Sequence, residues 1–310
     1  MFQKESNLSL DWNNQKIRFT FVIINYNSFD YTNKCLNSIK LFCRNHNYEI
    51  IVIDNASMDD SSSKLAAKFT DVIFINNKEN YGFARACNQG IDHASGEFII
   101  FLNNDFEFTT DIFDRIIDKF QRYENLGLLG FQLLNPDGTV QKTDFKFPTI
   151  PRRILQLTIV PFMRKHSSAK LPSLNAKDRI VDYIKGALMI IPAKLLNQLQ
   201  LRFDENYFMY HEEMDLAFQL RKQGKICILD TTPAGIHHGQ HAEDVHNERV
   251  FLWRNQNYLF FLKKNYGKLK LLILIVFNLI VFSLKLFLFF PNRSLRHTYL
   301  TVIIMNLKAL

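Results

Sequence analysis

The sequence predicts an α/β fold built around a doubly wound, mainly parallel, nucleotide-binding sheet, followed by a C-terminal hydrophobic helical tail. Two observations lead to this prediction. Over the first 133 residues, short apolar runs typical of strands buried on both faces alternate with segments of helical length. Each of the first four apolar runs also ends in polar residues, and the carboxyl ends of parallel strands share the edge at which such sheets bind ligands.

Five strands and four helices are predicted in this first half. The first helix begins near Asp30, a plausible N-cap, and carries Leu36, Ile39 and Phe42 roughly on one face. The predicted strands are 19–24, 48–53, 72–75, 98–102 and 126–133, and the predicted helices are about 30–43, 61–69, 83–93 and 111–123.

The second half of the chain is less regular. Residues 135–138 (NPDG) are a strong turn signal, as at the tip of a hairpin. Prolines interrupt residues 148–180, which could form an acceptor-side loop or a membrane-facing flap. Residues 182–192 are expected to form a strand in which Gly186 allows close backbone approach. A short helix, a helix ending near Gly224 and a short strand at 226–229 are predicted to follow.

The composition indicates a folded chain with an anionic partner. Of the 310 residues, 47% are hydrophobic, enough for a substantial core, and the formal net charge is +8. This charge suits nucleic acid, a phosphorylated substrate or an acidic membrane face. The four cysteines have no metal-binding spacing and are expected to be reduced thiols in the cytosol. The polar N-terminus carries no secretory signal.

The polar strand ends predict a nucleotide-sized crevice. They comprise residues 25–27, 54–57, 76–80 and 103–105. The phosphate-binding fingerprints GxGxxG and GxxxxGK[ST] are both absent, so a bound diphosphate is expected to be neutralised by a metal ion. Residues 103–105 (NND) offer the oxygen ligands that Mg²⁺ and Mn²⁺ prefer, although the same residues are also ordinary in a turn after a core strand.

Candidate catalytic residues lie at the predicted start of a later helix. The aromatic block 207–210 (YFMY) leads into His211, Glu212 and Glu213. Acidic residues there can simply favour the helix macrodipole, but an aromatic wall can also partly desolvate a carboxylate and hold it as a general base. Further on, three histidines in residues 237–241 (HHGQH) suggest a loop that contributes a metal ligand.

The C-terminal tail is expected to attach to a membrane. Residues 271–290 are apolar except for Asn278, Ser283 and Lys285, and they reach the length of about 20 residues needed to cross a bilayer. A central Lys is costly there, and both flanks are basic. We therefore expect the tail to lie in, or dip into, an anionic cytoplasmic leaflet. The alternative is a helical pair packed on the enzyme.

Seven motifs together resemble the family 2 glycosyltransferases of the A-type nucleotide-sugar (GT-A, Rossmann-like) fold, in particular bacterial rhamnosyltransferase-like members that build cell-surface polysaccharides. They occur in the family's order over about residues 19–262. The motifs are VIINYN (22–27), VIDNAS (52–57), NYGFARACNQG (80–90), FLNND (101–105), GALMI (186–190), FDENYFMYHEEMDL (203–216) and HHGQ (237–240).

The resemblance implies a role for each matching residue. Asp54 would contact the base of the donor nucleotide. Asp105 would hold Mg²⁺ or Mn²⁺ together with His237, with His238 as the alternative ligand. Glu213 would be the catalytic base, beside Glu212. The residues implied to bind the donor are Asn25, Tyr26, Asp54, Asn80, Gly82, Arg85, Asn88, Asn103 and Asn104.

Three positions depart from the family pattern. Asn103 replaces the first acid of the family's DXD motif, so the metal would be held chiefly through the substrate diphosphate. The usual ED pair is Glu212 and Glu213, whose second side chain is longer. His241 stands where a small hydroxyl residue is common.

The sequence and the resemblance together predict an inverting, metal-dependent glycosyltransferase at the cytoplasmic face of the membrane. It would move a sugar, with rhamnose as a candidate, from a UDP- or dTDP-linked donor to a cell-surface glycan or lipid-linked acceptor. The rivals are a sugar-nucleotide pyrophosphorylase and a non-catalytic nucleotide-sugar-binding protein; no nucleic-acid partner is expected. The predicted regions are a lead-in (1–16), a nucleotide-sugar half (17–133), an acceptor and catalytic half (134–262) and the tail (263–310).

Overall fold

The computed structural model describes residues 17–149, 177–239, 248–288 and 293–309. Its strands are β1 Phe19–Asn25, β2 Tyr48–Asp54, β3 Ile73–Asn76, β4 Phe98–Asn103, β5 Phe106–Phe108, β6 Leu126–Leu134, β7 Asp144–Phe145, β8 Asp178–Val181, β9 Tyr183–Ile184, β10 Leu188–Pro192 and β11 Ile226–His237. Its helices are α1 Phe29–Phe42, α2 Ser61–Lys68, α3 Gly82–His93, α4 Phe113–Arg122, α5 Ala193–Gln198, α6 Glu212–Lys222, α7 Glu248–Asn265, α8 Lys268–Leu288 and α9 Arg293–Ala309.

The central sheet confirms the predicted α/β class. Its strand order is β3-β2-β1-β4-β10-β6-β11-β5, with β8 also paired to β11. Strands β3, β2, β1 and β4 run parallel, while β10 is antiparallel to both of its neighbours. In the parallel half, Asn25 is opposite Asp54, Asp54 is opposite Asn76, and Ile24 is opposite Asn103. The polar strand ends therefore meet at one edge, as predicted.

Two apolar layers cover this sheet, which explains why its strands are apolar throughout. On one face, Phe21 and Ile100 pack in a cluster with Leu36 of α1. On the other face, Val22 and Phe101 belong to a second cluster that includes residues of α3 and α6. Because alternate side chains of a strand point to opposite faces, burial on both faces requires a continuous apolar run.

The prediction of one strand over 182–192 is wrong. Strand β9 ends at Ile184 and pairs with β7, whereas β10 begins at Leu188 and pairs with β4 and β6. Residues 185–187 connect the two sheets. The local apolar pattern does not reveal the change because it does not record which distant strand each residue pairs with.

Two further differences concern the edge that is predicted to bind a metal. The short strand predicted at 226–229 continues to His237, because β11 pairs with β6, β8 and β5 along its length. His237 is thus the last residue of a strand and not a loop residue. Strand β5 was not predicted, since three residues are too few for a periodic signal. Residues 150–176, within the unassigned segment 148–180, and His241 lie outside the described residues.

The three C-terminal helices pack on one another and on the second core cluster. Leu271, Leu274 and Ile275 of α8 are buried in the cluster that also contains Leu262 of α7. The amide of Asn278 in α8 donates to Asn306 Oδ1 of α9 at 3.0 Å. The predicted boundary between residues 262 and 263 falls inside α7.

Candidate active site

A buried chain of hydrogen bonds supports the edge where β1 and β4 end. Asn25 Nδ2 donates to Asp54 Oδ1 at 2.7 Å and to Ser61 Oγ at 2.8 Å, and Asn25 Oδ1 accepts from Thr32 Oγ1. Asn104 Nδ2 donates to the same Thr32 hydroxyl at 3.1 Å. The side-chain amides of Asn25 and Asn104 therefore form hydrogen bonds within the protein and stabilise this edge of the sheet.

Asp54 shapes the turn that follows β2. It accepts from the Ser57 backbone N–H at 2.9 Å and from the Ser57 hydroxyl at 2.6 Å. Between them, Ala56 has a φ of 62°, a left-handed conformation that the two hydrogen bonds help to hold. Tyr26 follows Asn25 at the end of β1, and its ring is exposed. This corner thus combines a carboxylate with an exposed aromatic ring.

The start of α3 is fastened to the loop that precedes the acidic helix α6. Asn80 Oδ1 accepts from the Gly82 N–H at 2.9 Å, and the Phe83 N–H donates to Phe208 O at 2.8 Å. Gly82 has a φ of 78°, and a Cβ there would lie 2.3 Å from Phe208 O. Only glycine fits this contact.

Asn88, further along α3, forms hydrogen bonds to the same loop. Its amide donates to Phe203 O and accepts from the Phe203 N–H, both at 2.9 Å, and it also donates to Glu205. Arg85 instead lies on the Tyr81 ring, 3.7 Å from its centroid, and is half-exposed. Of the four site residues predicted in this motif, Arg85 is the one that presents an accessible charge.

The pairing of β5 with β11 brings Asp105 and His237 together. His237 lies opposite Phe106, so its ring is beside the residue before β5. His237 Nε2 is 3.3 Å from Asp105 Oδ1 and 3.2 Å from Asn103 Nδ2. Both Asp105 and His237 are buried. His238, the alternative ligand, points to Glu107 instead, with its Nε2 2.8 Å from Glu107 Oε1.

The donor set at this edge fits a divalent cation that is shared with a substrate. Asp105 supplies a carboxylate oxygen and His237 an imidazole nitrogen at one point. In the described parts of the chain, no group of three or more His, Cys, Asp or Glu side chains forms a fuller metal cage. Mg²⁺ commonly binds through one or two carboxylates plus phosphate oxygens, so a substrate diphosphate would complete such a site.

Backbone strain marks the start of α6. Tyr210 and His211 have φ angles of 73° and 76°, in the left-handed region that such residues seldom adopt. Asn257 of α7 holds this turn, because its amide donates to Met209 O at 2.7 Å and to Tyr210 O at 2.9 Å. Strain of this kind persists where the surroundings enforce it, often at functional sites.

Of the two glutamates that follow, Glu212 is buried and Glu213 is half-buried, with its Oε2 atom out of contact with solvent. Oε2 of each has no hydrogen-bond partner among the residues described. Burial raises the pKa of Glu213, while nearby backbone N–H groups and Arg254 oppose the rise. Burial and the charge of Glu213 together raise the pKa of Glu212 well above its ordinary value. The pKa values of both carboxyl groups are thus raised, and the cause common to both is burial.

The segment 185–187 connects the acidic helix with the metal-binding edge. Lys185 Nζ lies 3.3 Å from His237 Nδ1, Gly186 approaches Glu213, and Ala187 O accepts from the Asn103 N–H at 3.0 Å. Burial lowers the pKa of Lys185, and the charge of Asp105 opposes that shift. The structure thus brings Glu213 and Asp105 to the two sides of one three-residue segment.

Sequence reasoning missed three residues of this region: Gln141, Lys185 and Asn257. Gln141 and Lys185 contact the ring of His237, and Asn257 holds the strained turn. The available signals were weak. Lys185 directly precedes the GALMI motif, and Gln141 lies three residues after the NPDG turn.

The sheet and its polar edge have the GT-A fold. The crystal structure of S. aureus TarS 1–349 in complex with UDP-GlcNAc shares the fold, with a TM-score of 0.56 at 15% sequence identity over 94% of this chain and 81% of that one.

Residues 20–170 match the family described as Glycosyl transferase family 2, so the chain carries a domain of that family. It resembles rhamnosyltransferases. The N-acetylglucosaminyl-diphospho-decaprenol L-rhamnosyltransferase of Mycobacterium tuberculosis is 24% identical over 207 residues, covering 62% of this chain and 67% of that protein. The rhamnosyltransferase WbbL of Escherichia coli is 26% identical over 247 residues, covering 75% of this chain and 88% of that protein.

Proposed function

We propose that this glycosyltransferase inverts configuration, depends on a divalent metal, and transfers a sugar from a nucleoside-diphosphate donor to a glycan or lipid-linked acceptor. One observation carries the proposal. A buried carboxylate with a raised pKa, Glu213, and a carboxylate–imidazole pair, Asp105 and His237, flank the same segment, 185–187. Inverting transfer needs a base near the acceptor and positive charge near the leaving diphosphate.

The donor is a UDP- or dTDP-linked sugar in this proposal. Asp54 and the exposed ring of Tyr26 lie together at the end of β1 and β2, where they would receive the base. Arg85 is half-exposed, with its Nε 4.0 Å from Glu205 Oε2, and its positive charge would face the phosphates. The UDP-GlcNAc in the TarS complex and the rhamnosyltransferase relatives support a nucleotide-sugar donor, with rhamnose as a candidate sugar.

Glu213 acts as the base in the proposed reaction. It accepts the proton of an acceptor hydroxyl, whose oxygen attacks the anomeric carbon from the face opposite the diphosphate. The new C–O bond forms as the bond to the diphosphate breaks, so configuration inverts. Asp105 and His237 would hold Mg²⁺ or Mn²⁺, which when bound neutralises charge on the leaving diphosphate.

A nucleotide-release assay tests this proposal against its rivals. The protein is incubated with UDP- and dTDP-sugars and Mn²⁺ or Mg²⁺, and nucleotide products are measured with and without acceptor. A transferase releases nucleoside diphosphate slowly alone and faster with acceptor. Binding without release would identify a sugar-nucleotide-binding protein. Formation of nucleoside triphosphate when pyrophosphate is added would identify a pyrophosphorylase.

The C-terminal helices supply the membrane attachment in this proposal. Among the described residues, α8 is long and apolar enough to cross a bilayer over Lys268–Phe287, judged by length and composition, with a mean hydropathy of 2.3. A stripe of exposed apolar side chains runs along it at helical spacing. This α8 stripe consists of Leu269, Leu272, Ile273, Val276, Ile280, Leu284 and Phe287.

The opposite side of α8 packs on protein, which favours a helix lying in the membrane surface over one that crosses it. Leu274 and Ile275 are buried, and Asn278 bonds to α9. Lys268, Lys270 and Lys285 lie on the same helix as the α8 stripe and suit an anionic leaflet. We propose that the enzyme attaches in this way to the cytoplasmic face of the membrane.

A further inference from the structure

A network of four polar groups surrounds the side-chain amide of Gln141. Its Oε1 is 2.8 Å from His237 Nδ1 and 2.8 Å from Lys185 Nζ. Its Nε2 donates to Asn135 Oδ1 at 2.9 Å and to the backbone carbonyl of His237 at 3.1 Å. Gln141 thus contacts both the ring and the main chain of His237.

This network permits one orientation of the Gln141 amide. If the amide were flipped, its NH₂ would face the Lys185 ammonium, which can only donate hydrogen bonds. Its oxygen would face the carbonyl of His237, which can only accept. Neither partner can exchange its role, so Oε1 faces the imidazole.

The orientation of the amide determines the tautomer of His237. Oε1 of Gln141 is an acceptor 2.8 Å from Nδ1, and Lys185 Nζ lies closer to that oxygen, at 2.8 Å, than to Nδ1, at 3.3 Å, so this ring nitrogen carries the proton. In the neutral ring, Nε2 is then unprotonated, and it lies 3.2 Å from the Asn103 amide nitrogen and 3.3 Å from the carboxylate of Asp105. Two acceptors that face each other at this distance form a natural pair of cation ligands.

We infer that Gln141 is a positioning residue that holds His237 in the tautomer able to bind a metal through Nε2. The inference rests on the proposed metal role of Asp105 and His237. Histidine ligands usually donate their second N–H to an oxygen acceptor, which fixes the ring and tautomer. Here the acceptor is a neutral amide in the segment between the NPDG turn and β7, and Lys185 holds it in place.

Lys185 keeps the amide oxygen directed at the ring. Its ammonium donates to Oε1 of Gln141, and its backbone N–H donates to Thr143 O at 2.8 Å. The lysine is therefore attached to the same hairpin as Gln141 by both its main chain and its side chain. This arrangement explains why a lysine is partly buried beside a metal-binding edge.

The test compares four variants of the 310-residue chain. Gln141→Leu removes the acceptor, whereas Gln141→Glu retains oxygens that can accept from both His237 and Lys185. Gln219→Leu is the matched control, since it removes a part-buried glutamine amide whose bond is to Asn265. Mn²⁺ affinity is measured by calorimetric titration in the presence of UDP. The tautomer is read from ¹⁵N NMR of the histidine rings in metal-free protein, with His237→Asn to assign the signal.

We expect Gln141→Leu to weaken Mn²⁺ binding by about 10–100-fold, the usual effect of losing such a partner. Gln141→Glu should bind Mn²⁺ more tightly than Gln141→Leu does, although its second oxygen loses the donor bond to the His237 carbonyl, and Gln219→Leu should be unchanged. In the wild type, the NMR signal should show Nδ1 protonated and Nε2 unprotonated, and this pattern should be lost in Gln141→Leu.

Two results would overturn the inference. One is an Nε2-protonated, Nδ1-free ring in the wild type. The other is wild-type Mn²⁺ affinity in Gln141→Leu while His237→Asn binds weakly, which would leave the metal site intact and remove the role of Gln141. If His237→Asn binds Mn²⁺ like the wild type, the proposed metal role fails, and the NMR tautomer alone then decides the role of Gln141.

Discussion

Individual side chains at the polar edge divide into those that face the site and those that support it. Asn25, Asn88 and Asn104 have their amides engaged by protein groups, and all three are buried. Asp105 instead lies 3.3 Å from His237 Nε2, and Oε2 of Glu213 is buried with no hydrogen-bond partner among the residues described. Polar residues at strand ends therefore indicate which edge of the sheet holds the site. The hydrogen bonds of each residue then show whether its side chain stabilises that edge or is available to a ligand.

Glu213→Gln tests the base directly. Since general-base catalysis contributes about 10²–10⁴-fold, kcat should fall by that factor while donor affinity changes little. The wild-type kcat should also decrease as the pH falls through the raised pKa of Glu213, because the base must be ionised. Steady-state kinetics across pH measures both effects. A fully active variant, or an acid limb that survives in the variant, would exclude Glu213 as the base.

Glu212 should affect stability through its proton. Its pKa in the fold is raised above the ordinary value of 4.5, so the folded state binds the proton more tightly than the unfolded chain. Its contribution to stability is therefore fully present below pH 4.5 and is lost as pH rises from there through the raised pKa. Gln at this position does not ionise, so Glu212→Gln should avoid this loss of folding stability at neutral pH.

The expected result is a higher Tm for Glu212→Gln than for the wild type at neutral pH, with the difference shrinking in acid. Thermal unfolding followed by circular dichroism at several pH values measures it. Glu97→Gln, at an exposed carboxyl far from the pair, is the control. Equal Tm values for Glu212→Gln and the wild type at neutral pH would contradict a raised pKa of Glu212 in the folded state.

Among the helices and strands, α7 supports the start of α6, although it comes well after the acidic motif in the sequence. Asn257 bonds to two carbonyls of the strained turn, and the Arg254 guanidinium stacks on Tyr210 at 4.4 Å from the ring centroid. Lys264, near the end of α7, pairs with Asp204 and Asp215 at 2.7 Å each. This helix therefore contacts the residues before the start of α6 and Asp215 within its first turn.

Asn257→Ala should destabilise the turn before α6. Two carbonyls would lose their donor, at a cost of about 1–3 kcal/mol for each buried group left unsatisfied. We expect a lower Tm and a lower kcat, because the turn carries Glu213. Asn255→Ala is the matched control, since its amide bonds only to Phe251 O of the same helix among the contacts described. Loss of activity in both variants alike would argue against a specific role for Asn257.

The α8 stripe can be tested by point changes that leave the buried side of the helix intact. Ile273 and Ile280 are exposed, so the double change to Ser should preserve folding and reduce binding to anionic vesicles. Co-sedimentation with phosphatidylglycerol vesicles measures the loss. Leu41→Ser, at an exposed apolar position on α1, serves as the control. Unchanged sedimentation of the double variant would exclude the α8 stripe as the attachment surface.

The molecule as a whole assembles the site from both halves of the chain. The β4–β5 turn supplies Asp105, the end of β11 supplies His237, and the start of α6 supplies Glu213. Residues 185–187 contact all three regions. Because the described residues offer two clear metal ligands here, Asp105 and His237, the proposed metal site is completed by the substrate.

Chelation should therefore abolish transfer. With few protein ligands, the metal should exchange readily, and EDTA should remove it without unfolding the chain. Activity should return on addition of excess Mn²⁺ or Mg²⁺ but not of Na⁺. Nucleotide release measures turnover, and circular dichroism checks the fold. Turnover that persists in EDTA would remove the metal role of Asp105.

Local sequence was sufficient to predict most of the parallel half of the sheet. Strands β1, β2, β3 and β4 and helices α1 to α3 lie within a few residues of their predicted positions. Periodicity determines them because each element buries its own apolar residues. Prediction failed where an element depends on a distant partner, as in the break at 185–187 and the extension of β11 to His237.

The sequence by itself determined the fold class, the polar edge and the family resemblance, because apolar runs, polar strand ends and ordered motifs are local properties. Tertiary structure decided which side chains meet. Gln141 contacts His237 across 96 residues, and Asn88 bonds to Phe203 across 115. Such contacts depend on strand pairing and loop packing, which no local pattern encodes. They separate the residues positioned to act in the proposed reaction from those that hold them in place.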